Sequence, residues 1–346
     1  MKKLVALLLA LLVAIPSFAM ADGGVVNVFN WEDYISDEVI RQFEEETGIK
    51  VNYSCFTTNE DMILKVETTP GAFDLCFPSD YIVERMMRKD LLAEIDYANV
   101  PNMQYILDSL KDPSYDAGNA HSVPYMWGTT GILYNKTMVE EPITSWADLW
   151  DERYKGQVIM LDSIRNTMGL TLKMMGSTMS TTDIVALEAA KEKLIEQKRN
   201  GIVKTYQVDL TKDMMISGEA AIAVMWTGDA QYAISLNPNL AYVIPSEGSN
   251  VWVDCMVIPK GAANKENAEK FINFLCRPDI AQKNCEYITY SSPNAGAIEL
   301  MGESYSGNTV MNPSEEEIAR CETIHDLDEA YLAIYSALWN DVKNAK

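Results

Sequence analysis

Val25-Val26-Asn27-Val28-Phe29-Asn30-Trp31-Glu32-Asp33-Tyr34 is the stretch on which the reading of this chain turns. Apolar residues flanking Asn27 predict a short strand from Val25 to Phe29, and Ser36 marks the start of a helix. Between them stand two large aromatics, Trp31 and Tyr34, with the carboxylates Glu32 and Asp33. The C-terminal end of a strand is where open α/β sheets hold ligands. Aromatic faces attract a cation, and carboxylates accept its N–H donors. The same four residues also suit an ordinary capping turn, with acids near a helix N-terminus and rings in packing. Recurrence of this chemistry further along the chain favours a site.

Working outward, Val39, Ile40 and Phe43 form a helical stripe that Gly48 is placed to end, and Ile49, Val51 and Tyr53 alternate as a strand. Thr58 or Asn59 caps a second helix, and Phe73 to Phe77 is a short buried strand running into Ser79-Asp80-Tyr81. This βαβαβα order predicts a mostly parallel sheet with helices on its faces. Val123 to Tyr134 reads as a long crossing strand containing Gly128 and Gly131. A second α/β unit follows. It has strands at Val158–Leu161 and Ala221–Met225, a helix from about Asp183 to Lys198, and Trp226-Thr227-Gly228-Asp229 at a strand end. Val251 to Pro259 is a further strand carrying Trp252 beside Asp254. Helices over 265–276 and 279–287 and a loop holding Tyr290 come next. Residues 302–320 read as polar and irregular, and a last helix spans about 328–343.

The first 21 of the 346 residues have the pattern of a signal peptide: Lys2-Lys3, an apolar run to Ala14, Pro16, then Ala19-Met20-Ala21. Cleavage is expected after Ala21, giving an exported, periplasmic protein. Loss of Lys2 and Lys3 takes the formal charge from −22 to −24. Such a balance excludes nucleic acid and anionic membrane as partners and suits a cationic one. The six cysteines are dispersed, with no C-x-x-C, so neither a zinc site nor a disulfide scaffold is expected. No cofactor and no metal are expected.

G-x-S-x-G, Walker A and G-x-G-x-x-G motifs are absent, and the two histidines, His121 and His325, lie far apart. What recurs is an aromatic beside an acid or hydroxyl at strand ends: Trp31/Glu32/Asp33/Tyr34, Ser79/Tyr81, Trp226/Asp229, Trp252/Asp254 and Tyr290. An aromatic box with acidic ends fits a slim aliphatic chain bearing ammonium groups. The rings cover methylenes, and each cation–π contact adds about 0.5–2 kcal/mol. The acids neutralise the charged heads, since an unpaired buried charge is costly.

The chain resembles the periplasmic spermidine/putrescine-binding proteins of bacterial polyamine ABC transporters. The matching stretches include Phe29-Asn30-Trp31-x-x-Tyr34, Glu46-Thr47-Gly48-Ile49-Lys50-Val51 and Val123-Pro124-Tyr125-Met126-Trp127-Gly128. They continue with Ser145-Trp146-Ala147-Asp148-Leu149-Trp150, Gly218-Glu219 to Trp226, Trp252-Val253-Asp254 and Arg277-Pro278-Asp279. The resemblance implies a type II periplasmic-binding-protein fold, two α/β lobes joined by a two-strand hinge and closing over ligand in the cleft. It implies lobes of 22–128 with 254–298, and 129–253 with 299–346. It also implies a monomer that hands polyamine to a membrane permease. The ligand box it implies is Trp31, Asp33, Tyr34, Ser79, Tyr81, Trp226, Trp252, Asp254 and Tyr290, with Asp254 holding one ammonium.

Four departures bear on the ligand. Where spermidine binders of this family carry an acid pair, this chain has Ser163 and Asn166, with Asp162 one residue earlier. Asp229 matches the putrescine-specific branch. Glu32 replaces a small hydroxyl residue and adds a carboxylate at the mouth. His325 stands about where spermidine binders have a glutamine. Putrescine is therefore expected over spermidine. Two other readings are a secreted glycan-cleft enzyme using acids such as Asp33 and Asp254, and the same fold binding a different cation. An α-carboxylate ligand would need an Arg, and Arg165 is close to the mapped positions.

Overall fold

The computed structural model describes residues 23–345, so the expected signal peptide and its cut after Ala21 lie outside the described residues. β1 runs Val25–Trp31, two residues longer than its apolar pattern predicts. Ser36 caps α1 (Asp37–Thr47), its hydroxyl accepting the Glu38 N–H at 3.2 Å. Gly48 ends that helix at φ 70°, a left-handed turn that glycine adopts without strain. β2 (Lys50–Phe56), α2 (Asn59–Thr68), β3 (Leu75–Cys76) and α3 (Asp80–Arg88) follow. β1 lies between β2 and β3 and is parallel to both, as the βαβαβα order requires. Strand alternation puts Val26 and Val28 on one face against Val39, Phe43 and Phe271. Phe29 faces the other way, against Phe56, Met62 and Ile82.

β4 (Ser122–Asn135) carries the chain from one half to the other. The second half then builds β5 (Val158–Leu161), α4 (Ile164–Met174), α5 (Ile184–Arg199) and β6 (Val203–Gln207). It continues with α6 (Thr211–Ile216), β7 (Ile222–Trp226), α7 (Thr227–Leu236) and β8 (Leu240–Val243). β9 (Val251–Val257) returns to the first half, followed by α8 (Lys265–Leu275), α9 (Pro278–Ile288) and α10 (Ala295–Met301). α11 (Glu303–Ser306) and α12 (Glu315–Ala319) are short helices in the stretch expected to be irregular, and α13 (Glu329–Asn344) closes the chain. The sheet order is β2-β1-β3-β9-β4-β7-β5-β6, with β8 also on β4.

One strand serves both halves. Ser122–Thr129 of β4 pairs antiparallel with β9, and Thr130–Tyr134 pairs antiparallel with β7. The chain returns through Ser249–Val251, beside Thr130, whose N–H donates to the Asn250 carbonyl at 3.1 Å. A third segment joins these two: Glu322 donates its N–H to Ser249 and accepts the Val251 N–H. The passage therefore holds three segments, one more than the resemblance implied. The second core gathers Trp146, Met160, Leu187 and Leu194 on one face and Leu133, Ile159, Ala223 and Met225 on the other. Tyr335 and Leu338 of α13 pack in the former. Residues 299–311, expected with the second lobe, begin on the first: Met301 and Tyr305 lie against its core because α10 continues from the loop after α9.

All six cysteines are free thiols, and Cys276 and Cys285 are buried apolar neighbours within the first core. Among the described residues no helix is long and apolar enough to cross a membrane.

Candidate functional site

The strand ends of the first half meet at Asp254. Tyr34 donates its hydroxyl to Asp254 Oδ2 at 2.7 Å, and Ser79 donates to Oδ1 at 2.6 Å. Ser79 occupies the N-cap position of α3 but makes no side-chain cap bond; its hydroxyl is turned to the carboxylate instead. Ser79 and Asp254 also pair through their backbones as an isolated bridge. Asp254 is buried, and burial pushes its carboxyl up to about 6, against the two hydroxyl donors that pull it down. Among the described residues it has no basic partner in an ion pair.

The loop holding Tyr34 is itself held. Asn284 of α9 accepts the Ser36 N–H at 3.0 Å and donates to the Tyr125 hydroxyl at 2.6 Å. Tyr125 in turn donates to the Tyr34 carbonyl at 2.6 Å. Asn59 does the same for the second loop, accepting the Ser79 N–H at 3.1 Å and donating to the Ser79 and Tyr81 hydroxyls. Asp80 lies behind them, accepting the Tyr81 and Val253 N–H groups, and burial pushes its carboxyl up to about 8.

Tyr290 joins this cluster to the second half. Its ring stands edge-on to Tyr34 and Trp252, at centroid distances of 5.8 and 5.2 Å. Its hydroxyl donates to Asp229 Oδ2 at 3.2 Å. Two glycines make room. A Cβ on Gly228 would come within 2.5 Å of the Tyr290 ring, and one on Gly128 within 2.7 Å of the Trp252 ring. Asp229 lies in the first turn of α7, partly buried, with the Lys212 ammonium 3.6 Å from Oδ1. Burial raises its carboxyl above the usual range, and Lys212 and Tyr290 pull it back.

The rings and the two carboxylates form one cluster that spans the two α/β halves. A model of the family described as bacterial extracellular solute-binding protein matches residues 38–311. The chain belongs to that family. This solute-binding protein is 34% identical over 325 residues to the spermidine/putrescine-binding periplasmic protein of Salmonella typhimurium, covering 93% of this chain and 92% of the relative. Among solved structures it resembles a putative spermidine/putrescine ABC transporter from Listeria monocytogenes, at 38% identity and TM-score 0.89, covering 93% and 99% of the two chains. The substrate-binding protein of a spermidine/putrescine ABC transporter from Streptococcus pneumoniae follows at 37% identity and TM-score 0.82, covering 92% and 98%. The fold is the type II periplasmic-binding-protein fold.

Within this solute-binding protein the expected site residues separate into two groups. Tyr34, Ser79, Trp252, Asp254, Tyr290 and Asp229 form one connected cluster. Tyr81 borders it through Asn59. Trp31 is partly buried beside it, its indole N–H donating to the Phe77 carbonyl at 2.9 Å and its ring 4.5 Å from Phe56. Trp226 shares the Asp229 turn, opposite Thr130 of β4, and packs on the second core. Glu32 and Asp33 are exposed, and Asp33 adopts φ 52° in a left-handed turn. Both act electrostatically on Cys55 of the edge strand β2.

Neither Asp162 nor His325 joins the cluster. Asp162 pairs with Lys343 at 2.7 Å. Ser163 accepts from Asn166, which accepts from Thr130, so the aligned loop is a neutral network at the passage strand. His325 lies 3.6 Å from Glu84, on a seam of charges between α3 and the start of α13. There Arg85 binds Asp326 at 2.8 Å, and Arg88 binds both Asp326 and Asp328. Arg165 is buried on the same side, its guanidinium 5.7 Å from the Tyr81 ring centre and 5.4 Å from that of Tyr335. Asn59, Asn284, Tyr125 and Lys212 were missed by sequence reasoning. None stands at a strand end, which was the only signal followed.

Proposed function

We infer that this chain is the extracytoplasmic solute-binding subunit of an ABC importer, capturing a polyamine in its cleft and delivering it to the membrane permease. The observation that carries the reading is Asp254: a buried carboxylate with two hydroxyl donors and, among the described residues, no basic partner, walled by Tyr34, Trp252 and Tyr290. An ionised carboxylate in such a place is costly until a cation joins it. An ammonium on an aliphatic chain supplies that cation, and the rings cover its methylenes. The polyamine-binding relatives support the same ligand class. The chain acts in the periplasm as a monomer, with binding and not catalysis as its role.

Putrescine is favoured over spermidine. Asp229 offers a second acidic end on the other half. The loop at Ser163 and Asn166 offers only neutral groups to an internal amine, and Asp162 is held by Lys343. Closure brings the lobes together on Tyr290, and opening bends β4 near Gly128–Thr130.

The test is isothermal titration of the mature protein, unfolded and refolded to strip carried-over ligand, with putrescine, cadaverine, spermidine and spermine. One-to-one binding with putrescine tightest is the expected result. No heat with any of them defeats the reading.

A further inference from the structure

Lys212 lies in the first turn of α6, which packs beside α7, the helix that carries Asp229. Its ammonium faces Asp229 Oδ1 at 3.6 Å while Oδ2 faces the Tyr290 hydroxyl. It also lies 5.7 Å from the Tyr232 ring centre. Thr211 beside it is buried, which fixes the backbone, whereas the Lys212 side chain is 38% exposed and has room to swing outward. At this end of the cleft the chain itself supplies what a ligand would bring: a primary ammonium on a flexible four-carbon stem. At the other end, Asp254 has no such companion.

We propose that Lys212 sets specificity as an internal ammonium, one that holds Asp229 in the free protein and that the second ammonium of a diamine must displace. The proposal rests on the polyamine reading above. Two like charges at one carboxylate repel, so the lysine moves out as the ligand head moves in. A monoamine anchored at Asp254 brings no second charge to that end and leaves the lysine in place. A diamine meets it every time. Lys212 therefore weakens diamine binding selectively and narrows the gap between one and two ammonium groups.

The experiment compares butylamine with putrescine, ligands of equal chain length that differ by one ammonium. Both are titrated into the refolded mature wild-type protein, K212M and K212R. Removing the competing charge in K212M is expected to tighten putrescine binding about tenfold, while butylamine stays within about twofold. K212R retains the cation and is expected to keep the wild-type ratio. An unchanged putrescine-to-butylamine ratio in K212M overturns the proposal. Weaker putrescine binding in K212M overturns it too, because Lys212 would then be supporting Asp229 for the ligand. If wild-type protein and both variants take up no amine at all, the polyamine reading itself falls. A ligand-free melt of K212M close to wild type establishes that the variant is folded.

Discussion

Asp254 and Asp229 are the same side chain at two ends of one cleft, and their surroundings differ in kind. Asp254 is buried, with neutral hydroxyl donors on both oxygens. Asp229 is partly buried, its side chain 29% exposed, with a tyrosine on one oxygen and a lysine near the other. The first is an incomplete ion pair and the second is a complete one. A cationic ligand gains most where the counter-charge is missing, because there no cation of the chain already offsets the cost of the buried charge. Under the proposed function the Asp254 end is thus the anchor and the Asp229 end the selector.

The largest effect should come from Asp254→Ala. Removing the carboxylate at a desolvated charge contact costs a few kcal/mol, so putrescine affinity should fall about a hundredfold or more by titration calorimetry. Binding as tight as wild type would break the comparison at its stronger side. The second test is pH. Cations bind the ionised form of Asp254, so affinity is full above its folded value of about 6 and falls below it. By pH 5 the loss should be about tenfold. The ligand-free protein should move the other way. A carboxyl raised above its unfolded value binds extra protons when folded, so its contribution to stability improves as pH falls through about 6. Melting curves with and without putrescine should therefore converge on acidification.

Asp229→Asn should cost less, about three- to tenfold, because the ligand there only replaces an ammonium already present. A loss equal to that of Asp254→Ala would erase the distinction between anchor and selector. Tyr290→Phe should be the mildest, about threefold, since one hydroxyl contact at the low end of the usual range is worth roughly 0.6 kcal/mol while the ring and its edge contacts remain.

Much of this was legible in the chain. Alternation around Val28 and Phe29, the Ser36 cap and the Gly48 stop place Tyr34 at the correct strand end, because each is a local rule with a local cause. Trp252 and Asp254 were read as a strand-end pair, whereas both lie inside β9, where Asp254 reaches Tyr34 and Ser79 from the middle of the strand. The separation of Glu32 and Asp33 from Tyr34 was not legible. It depends on a left-handed residue, Asp33 at φ 52°, a conformation Asp tolerates better than its neighbours but that no strand or cap signal marks. Asn59 and Asn284 act through contacts 20 and 248 residues away in sequence, which no local pattern records. Lys212 was hidden differently: a lysine on a short helix is the commonest of surface residues, and only the approach of α6 to α7 gives it a carboxylate.

The glycine at 128 links two things usually kept apart. Trp252 lies so close over the backbone there that no methyl group fits between them, and that backbone belongs to the one strand running through both halves. A wall of the cleft is therefore seated directly on the hinge. Under the proposed function, a ligand packed on the indole also loads the strand shared by the two halves, so its width is felt there as curvature.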